Sequence, residues 1–283
     1  MFKTPARRRT VTVARTAVLY LILVTVAFTM LLPLLWMLST SLKTYSDSIS
    51  SALQWIPRGG PQWDNYLEVF RRVNFNRSYF NSVFVAVVVT VGQVATSAMA
   101  GYAFSRLYWP GRDKVFLLYL ATLMIPVTVT MLPNFVILKH LNWLDSYKAL
   151  IIPLMFSAYG TFLCRQFMLG LPRSLEESAM IDGCGHFRIF VNVVVPLSTP
   201  VLTTLAILTF MGTWQNFVWP LISTFSQDLR VLPVTLNAFQ SEIKIEYNLI
   251  MAAATMMIVP LIALFVIGQR FFIEGIRLGA IKG

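Results

Sequence analysis

Long stretches without a charged side chain alternate with short polar segments along this chain. Six such runs stand out: Ala17–Leu42, Ser78–Ser105, Val115–Leu138, Ala149–Cys164, Ile189–Gln227 and Tyr247–Gln269. A bilayer core about 30 Å thick needs roughly 20 apolar residues at a helical rise of about 1.5 Å each. Five runs meet that length. The fourth has only 16 residues, but Lys148 and Arg165 flank it, and their stems can carry the charge out to the headgroups. The fifth, at 39 residues, holds a spanning helix and more. The pattern predicts an all-α polytopic membrane protein with six transmembrane helices. The first run reads as a retained helix, because 26 charge-free residues exceed the roughly 7–15 of a cleaved leader's apolar region.

Composition agrees: 57% hydrophobic and only 12% charged residues do not fit a water-soluble domain. The net charge of +11 invites a nucleic-acid reading, so its distribution decides. With the N-terminus inside, the cytoplasmic segments carry a net +9 and the external ones +2. That bias places both termini in the cytoplasm, although Arg71, Arg72 and Arg77 outside the second span run against it. Arg7-Arg8-Arg9 and Arg15 directly precede a span, so they read as anchors to an anionic leaflet. No nucleic-acid partner is expected. The chain then divides into a basic N-terminus (1–16), a first transmembrane helix (17–42), an external loop (43–77) and a core with five helices (78–271). A cytoplasmic tail (272–283) closes it. The external loop carries turn signals at Pro57, Gly59-Gly60 and Pro61, and a short amphipathic helix is expected around Trp63–Phe70.

The loop between the fourth and fifth spans, residues 172–198, differs from the other connections. Ser174 and Glu177 have the spacing of a capping box, which predicts a helix over Leu175–Asp182 stopped by Gly183. Glu176 and Glu177 then fall in its first turn, where the helix dipole favours carboxylates. Phe187, Phe190, Val191 and Val194 follow at the spacing of one apolar stripe, up to a kink or end at Pro196. The segment reads as a helix–turn–helix lying across the inner face. Its first helix has the form of an element that docks into another protein's groove.

Glu177-Ser178-Ala179, three residues, Gly183, nine residues, Val193, Val195 and Pro196 resemble the coupling-loop motif of ABC-importer membrane subunits. Ser178 departs from the usual alanine, and two valines replace isoleucine and leucine. The chain is similar to the carbohydrate-uptake branch, nearest to the maltose-type permeases, through Asn81-Ser82, Gly101-Tyr102-Ala103, Arg106, Pro110-Gly111-Arg112 and Leu123-Met124-Ile125-Pro126. Gly160-Thr161-Phe162, Arg165-Gln166-Phe167, Trp219-Pro220-Leu221 and the tail to Lys282-Gly283 extend it. Leu144-Asp145-Ser146-Tyr147 and Pro153-Leu154-Met155 would also suit glycerol-3-phosphate relatives. The resemblance implies a permease subunit forming half of a sugar pathway in the bacterial inner membrane. It would pair with a homologous permease, with two ATP-binding subunits below and an extracytoplasmic solute-binding protein above. Coupling to the ATPase would rest on Glu176, Glu177, Ser178, Ala179, Asp182, Gly183 and Pro196.

Chemistry narrows the reading further. No Gly-Lys pair of a phosphate-binding loop exists in the chain, so ATP and Mg belong to the partner ATPase and no cofactor is expected here. Two histidines and two cysteines lack ligand spacing, so no metal and no catalytic site are predicted. Within the spans, the candidates for lining a pathway are Thr130 and Asn134 in the third, and Trp214, Gln215 and Asn216 in the fifth, beside Gly212, Thr213 and Pro220. Amides next to an indole ring suit a sugar's hydroxyls and apolar face. Glycerol-3-phosphate or a related polyol is the alternative solute, and an ion-coupled secondary transporter the alternative class. The spans hold no ionisable relay away from their ends, which weighs against the latter.

Overall fold

A computed structural model describes residues 5–50, 54–240 and 245–280, with side chains placed from Arg15 to Gly268 inside those limits. The expected anchors Arg7–Arg9 and the tail through Lys282-Gly283 fall outside the described side chains. Among the described residues the secondary structure is helical, apart from one isolated bridge between Gln240 and Ile245. Among the described residues, four helices are long and apolar enough to cross a membrane: Arg15–Ser41, Phe75–Arg106, Tyr147–Leu169 and Tyr247–Gly268. Two bent pairs bring the number to six when each is one span. The third and fifth expected spans are thus broken and not continuous.

Both breaks have a local cause. In the third span, α4 (Arg112–Ala121) and α5 (Val127–His140) meet at 100°. Ile125 is extended there, as the ring of the following Pro126 demands. Pro133 sits within α5 without breaking it. In the fifth, the chain turns by 77° at Ser198, between the stretch His186–Leu197 and α10 (Thr199–Trp214). Pro200 stands in the first turn of α10, where its missing N–H leaves no bond unmade.

The chain divides into two compact units. The first comprises residues 1–72 and 239–257. It contains α1 (Pro5–Ser41), α2 (Asp64–Arg72) and the start of the last helix, α13 (Tyr247–Ala280). The amphipathic helix expected around Trp63–Phe70 is α2, with Val69 buried on its inner side. Asn65 Nδ2 donates to the carbonyls of Ser41 and Lys43 at 2.8 and 2.9 Å, closing the exit of α1 over α2. Thr25 and Thr29 lie on the apolar surface of α1 and return their hydroxyls to the carbonyls four residues back, so no donor is left to hydrocarbon.

The second unit comprises residues 73–238 and 258–283. Its axis is α3 (Phe75–Arg106), packed against α7 (Ala158–Leu169) and α10. Small residues make the close crossing possible. A Cβ added at Gly101 would stand 2.6 Å from Cys164 Cβ, and one at Gly160 would collide with Ser97 Oγ. A cluster of Ala98, Tyr102, Cys164, Met168, Ile189, Val194 and Leu205 fills the interior around the C-terminal end of α3. At the other end of α3, fully buried Asn81 donates to the carbonyls of Asp228 and Arg230 at 2.7 and 3.0 Å and accepts from Tyr147 at 2.6 Å. Ser82 Oγ accepts the amide of Leu232 at the head of α12 (Leu232–Leu236). Asp145, with a positive φ of 53°, accepts the amides of Phe225 and Ser226 just beyond α11 (Val218–Ser223). α6 (Tyr147–Ile151) leads into α7, and the short α8 (Ser174–Ile181) and α9 (His186–Ile189) come after it.

Candidate functional site: a capped docking helix and a polar cleft

α8 forms where the sequence predicts a helix, but its start differs. Arg173 is the N-cap and makes no side-chain cap bond, while Ser174 is already helical. The capping box between Ser174 and Glu177 is therefore not formed. Ser178 Oγ donates instead to the Ser174 carbonyl at 2.8 Å. The stop is as expected. Gly183 takes φ +80°, its amide bonds to the Met180 carbonyl at 3.0 Å, and the Cys184 amide reaches the Ala179 carbonyl at 2.9 Å. Those two bonds are a Schellman cap. Nothing stands within 4 Å of a Cβ added at Gly183, so glycine is required for backbone conformation and not for space.

The cap fixes two faces on α8. Glu177, Ser178, Ile181 and Asp182 are exposed, with Ile181 at 87%. Glu176 and Ala179 face inward: Ala179 packs on the cluster around the C-terminal end of α3, and Glu176 is 7% exposed, its Oε1 3.1 Å from Arg106 Nε. Glu176 thus does not share the free surface with its neighbour, because a step of about 100° per residue turns adjacent side chains to different faces. Pro196 falls in a separate helical turn, Val195–Leu197, just before the bend at Ser198.

The segment after α9 departs from the expected stripe. Phe190–Val194 is a π-helical turn, which advances the buried face by five residues, from Ile189 to Val194. Phe187 at 78% and Val191 at 43% are left exposed instead of joining the buried side. Together with Phe190 and Val195 they line an apolar hollow of about 530 Å³ against Val91, Val94, Ala98 and Met99 of α3 and Leu202 and Ala206 of α10.

A second cleft, of about 270 Å³, opens between α3, α7 and α10. Gln93, Tyr159, Thr209, Thr213 and Asn216 supply its polar wall; Leu154, Leu205, Leu208 and Gly212 supply the apolar remainder. Gln93 Nε2 donates to Thr209 Oγ1 at 2.9 Å, and Asn216 Oδ1 accepts weakly from the Trp219 amide at 3.4 Å. Of the pathway candidates named from sequence, Gly212, Thr213 and Asn216 line this cleft, and Trp214, Gln215, Asn134 and Thr130 do not. Trp214 is 1% exposed, packed edge-on to Tyr79 and stacked on Phe210. Gln215 is exposed but follows the last residue of α10 outside the lining, while Asn134 and Thr130 lie on α5, with the Thr130 hydroxyl bonded to its own backbone. Gln93, Tyr159 and Thr209 were not singled out. Gln93 did carry a signal: it is the one amide between Asn81 and the end of α3.

Arg72, one of the outer arginines, is held between Glu68 at 2.8 Å and Glu246 at 2.6 Å, and Arg77 donates to the Asp228 carbonyl. Arg71 remains 76% exposed. Among the described residues no cluster of three potential metal ligands occurs.

Apolar helices long enough to cross a bilayer, two bent pairs among them and a polar cleft between α3, α7 and α10, define a polytopic membrane protein. Residues 92–278 match the family described as the binding-protein-dependent transport system inner membrane component, and the chain belongs to it. It is a permease subunit of an ABC importer, not an enzyme. The chain is 37% identical to the arabinooligosaccharides transport system permease protein AraQ of Halalkalibacterium halodurans, over 78% of this chain and 79% of that one. It is 36% identical to the sn-glycerol-3-phosphate transport system permease protein UgpE of Yersinia enterocolitica, over 71% and 73%. The fold matches a chain in the crystal structure of a bacterial ABC transporter involved in the import of the acidic polysaccharide alginate. The TM-score is 0.82 and the identity 21%, over 96% of this chain and 99% of that one.

Proposed function

We propose that α8 is the element through which a separate ATPase drives this permease, and that the cleft between α3, α7 and α10 carries an uncharged sugar. The observation behind the first half is the two-faced, Schellman-capped helix. Its outer side offers Glu177, Ser178, Ile181 and Asp182, and an apolar residue 87% exposed beside two carboxylates suits burial in a protein groove. Glu176 and Pro196 leave the docking set. Gly183 and Ala179 support it, the one by ending the helix and the other by seating it. The docking side then faces the cytoplasm, which puts both chain termini there, in accord with the charge bias.

For the solute, amides and hydroxyls beside leucine side chains offer directional bonds and an apolar wall together. No residue lining the cleft carries a charge, which favours a neutral sugar over a glycerol phosphate. A homologous second permease would supply the other half of the pathway, and the apolar hollow gives it a surface to cover. Two ATP-binding subunits would supply ATP and Mg chemistry, and an extracytoplasmic binding protein the solute. Glu177→Lys combined with Ile181→Asp should lose the ATPase on mild-detergent purification and lower uptake at least tenfold. Undiminished recovery of the ATPase would count against the docking assignment.

A further inference from the structure

Arg106, the last residue of α3, is almost wholly enclosed, with its side chain 4% exposed. It reaches three elements at once. Its Nη2 donates to the Met168 carbonyl in the last turn of α7 and to the Leu171 carbonyl beyond it, the latter at 2.8 Å. Its Nε lies 3.1 Å from Oε1 of Glu176, whose side chain is 9% exposed. Neither of those two atoms finds an aligned hydrogen bond, so charge and not directional bonding holds the pair. Around it pack Tyr102, Met168, Leu171 and Ala179, and the Tyr102 hydroxyl approaches the His186 carbonyl at 3.5 Å.

This is a costly way to fasten a helix if stability were the only need. Burying two charges forfeits their hydration, and apolar residues of similar volume commonly stabilise as well or better. In some proteins a buried ion pair is kept because it fixes position. α8 has eight residues, too few to hold its own helix in water, and only Glu176 and Ala179 among its side chains face the interior. Ala179 offers a single methyl group. The connection between α8 and the bundle therefore runs chiefly through Arg106.

We propose that Arg106 is a positioning residue which makes α8 move as one body with α3 and α7, so that displacement of α8 reaches the walls of the polar cleft. The geometry supplies the path. Gln93 lies on α3 thirteen residues before Arg106, about 20 Å along a straight helix, and Tyr159 lies on α7. Both line the cleft. The inference rests on the docking assignment of α8, and its test separates the two.

The test uses the full complex of permeases, ATPase and binding protein in liposomes. Arg106→Met with Glu176→Leu replaces the pair by apolar side chains, and Glu176→Gln removes one charge at constant shape. The readouts are ATPase recovered with the permease, ATP hydrolysed, and sugar imported per ATP. The double variant should keep its ATPase and hydrolyse ATP while sugar per ATP falls at least tenfold. Glu176→Gln, which preserves the volume and serves should the double variant not fold, should lower it about threefold with ATPase recovery unchanged. An unchanged ratio in Glu176→Gln, or in a folded double variant, overturns the linkage. Loss of the ATPase from either also overturns it, since the pair would then only shape the docking surface. If instead the Glu177→Lys, Ile181→Asp permease retains its ATPase, the docking assignment fails, whatever Arg106 does.

Discussion

α1 and α3 are the two longest apolar stretches in the first half of the chain, and by length and hydropathy either would cross a bilayer. They share almost nothing else. A third of the membrane window of α3 is buried, and none of that of α1. Small residues mark the packed face of α3. Ser97, Gly101 and Ser105 recur every fourth position along α3 and are all buried, whereas Arg15–Ser41 contains no glycine. In hydrocarbon, leucine gains nothing by leaving lipid for a neighbouring helix, so association depends on close backbone approach. Hydropathy therefore says which segments cross. The small-residue pattern shows where α3 packs within its own unit.

The sharpest way to break this comparison is to enlarge the crossing point. Gly101→Leu forces a side chain into the Cys164–Arg165 backbone, 3.0 Å from the Arg165 amide nitrogen. Overpacking of this kind costs about 3 kcal/mol or more when backbone blocks relaxation. Loss of the monodisperse peak in fluorescence-detected size exclusion would report it.

A smaller effect is expected at the N-terminal end of α3, where Asn81 and Asp145 hold the same returning segment. The amides of Ser226 and Phe225, with the Ser226 hydroxyl, hold the Asp145 carboxyl below its ordinary value near 3.8. With the folded value depressed, the stabilisation is complete above the unfolded value and fades as pH falls through the lowered one. Asp145→Asn, which loses the charge assistance, should cost about 1 kcal/mol at pH 7. Its melting temperature should also respond less to acidification below pH 4 than that of the parent. Equal acid sensitivity in both would show that Asp145 contributes nothing to it.

The smallest effect sharpens the comparison from the other side. Leu21→Ala with Leu23→Ala on α1 should move the thermal midpoint of the detergent-solubilised protein by no more than about 0.5 kcal/mol equivalent. A larger loss would mean that these leucines are packed in the solubilised protein.

The same division explains what could be read from the sequence. The crossings, the loop and its glycine stop were legible because charge-free length and left-handed backbone are local properties. The break at Pro126 and the bend just after Pro196 were legible as prolines but not as angles. The partners of polar side chains were not legible. Nothing local tells Glu176 from Glu177, yet one is sealed against Arg106, seventy residues earlier, and the other is free. Trp214 and Asn216 looked alike as pathway residues until aromatic neighbours from α3 and from its own helix enclosed the first.

The π-helical turn at Phe190–Val194 holds one residue more than an α-helical course would use. A helix that loses a residue rotates everything downstream by about 100°, which in most of this bundle would turn a buried face outward. Here the surplus residue already sits in the wound-out turn, so a one-residue deletion can be absorbed by returning the segment to ordinary α-helix. In this chain the turn thus offers slack in the register between α9 and α10, and deletion of one residue within it should leave the phase of α10 unchanged.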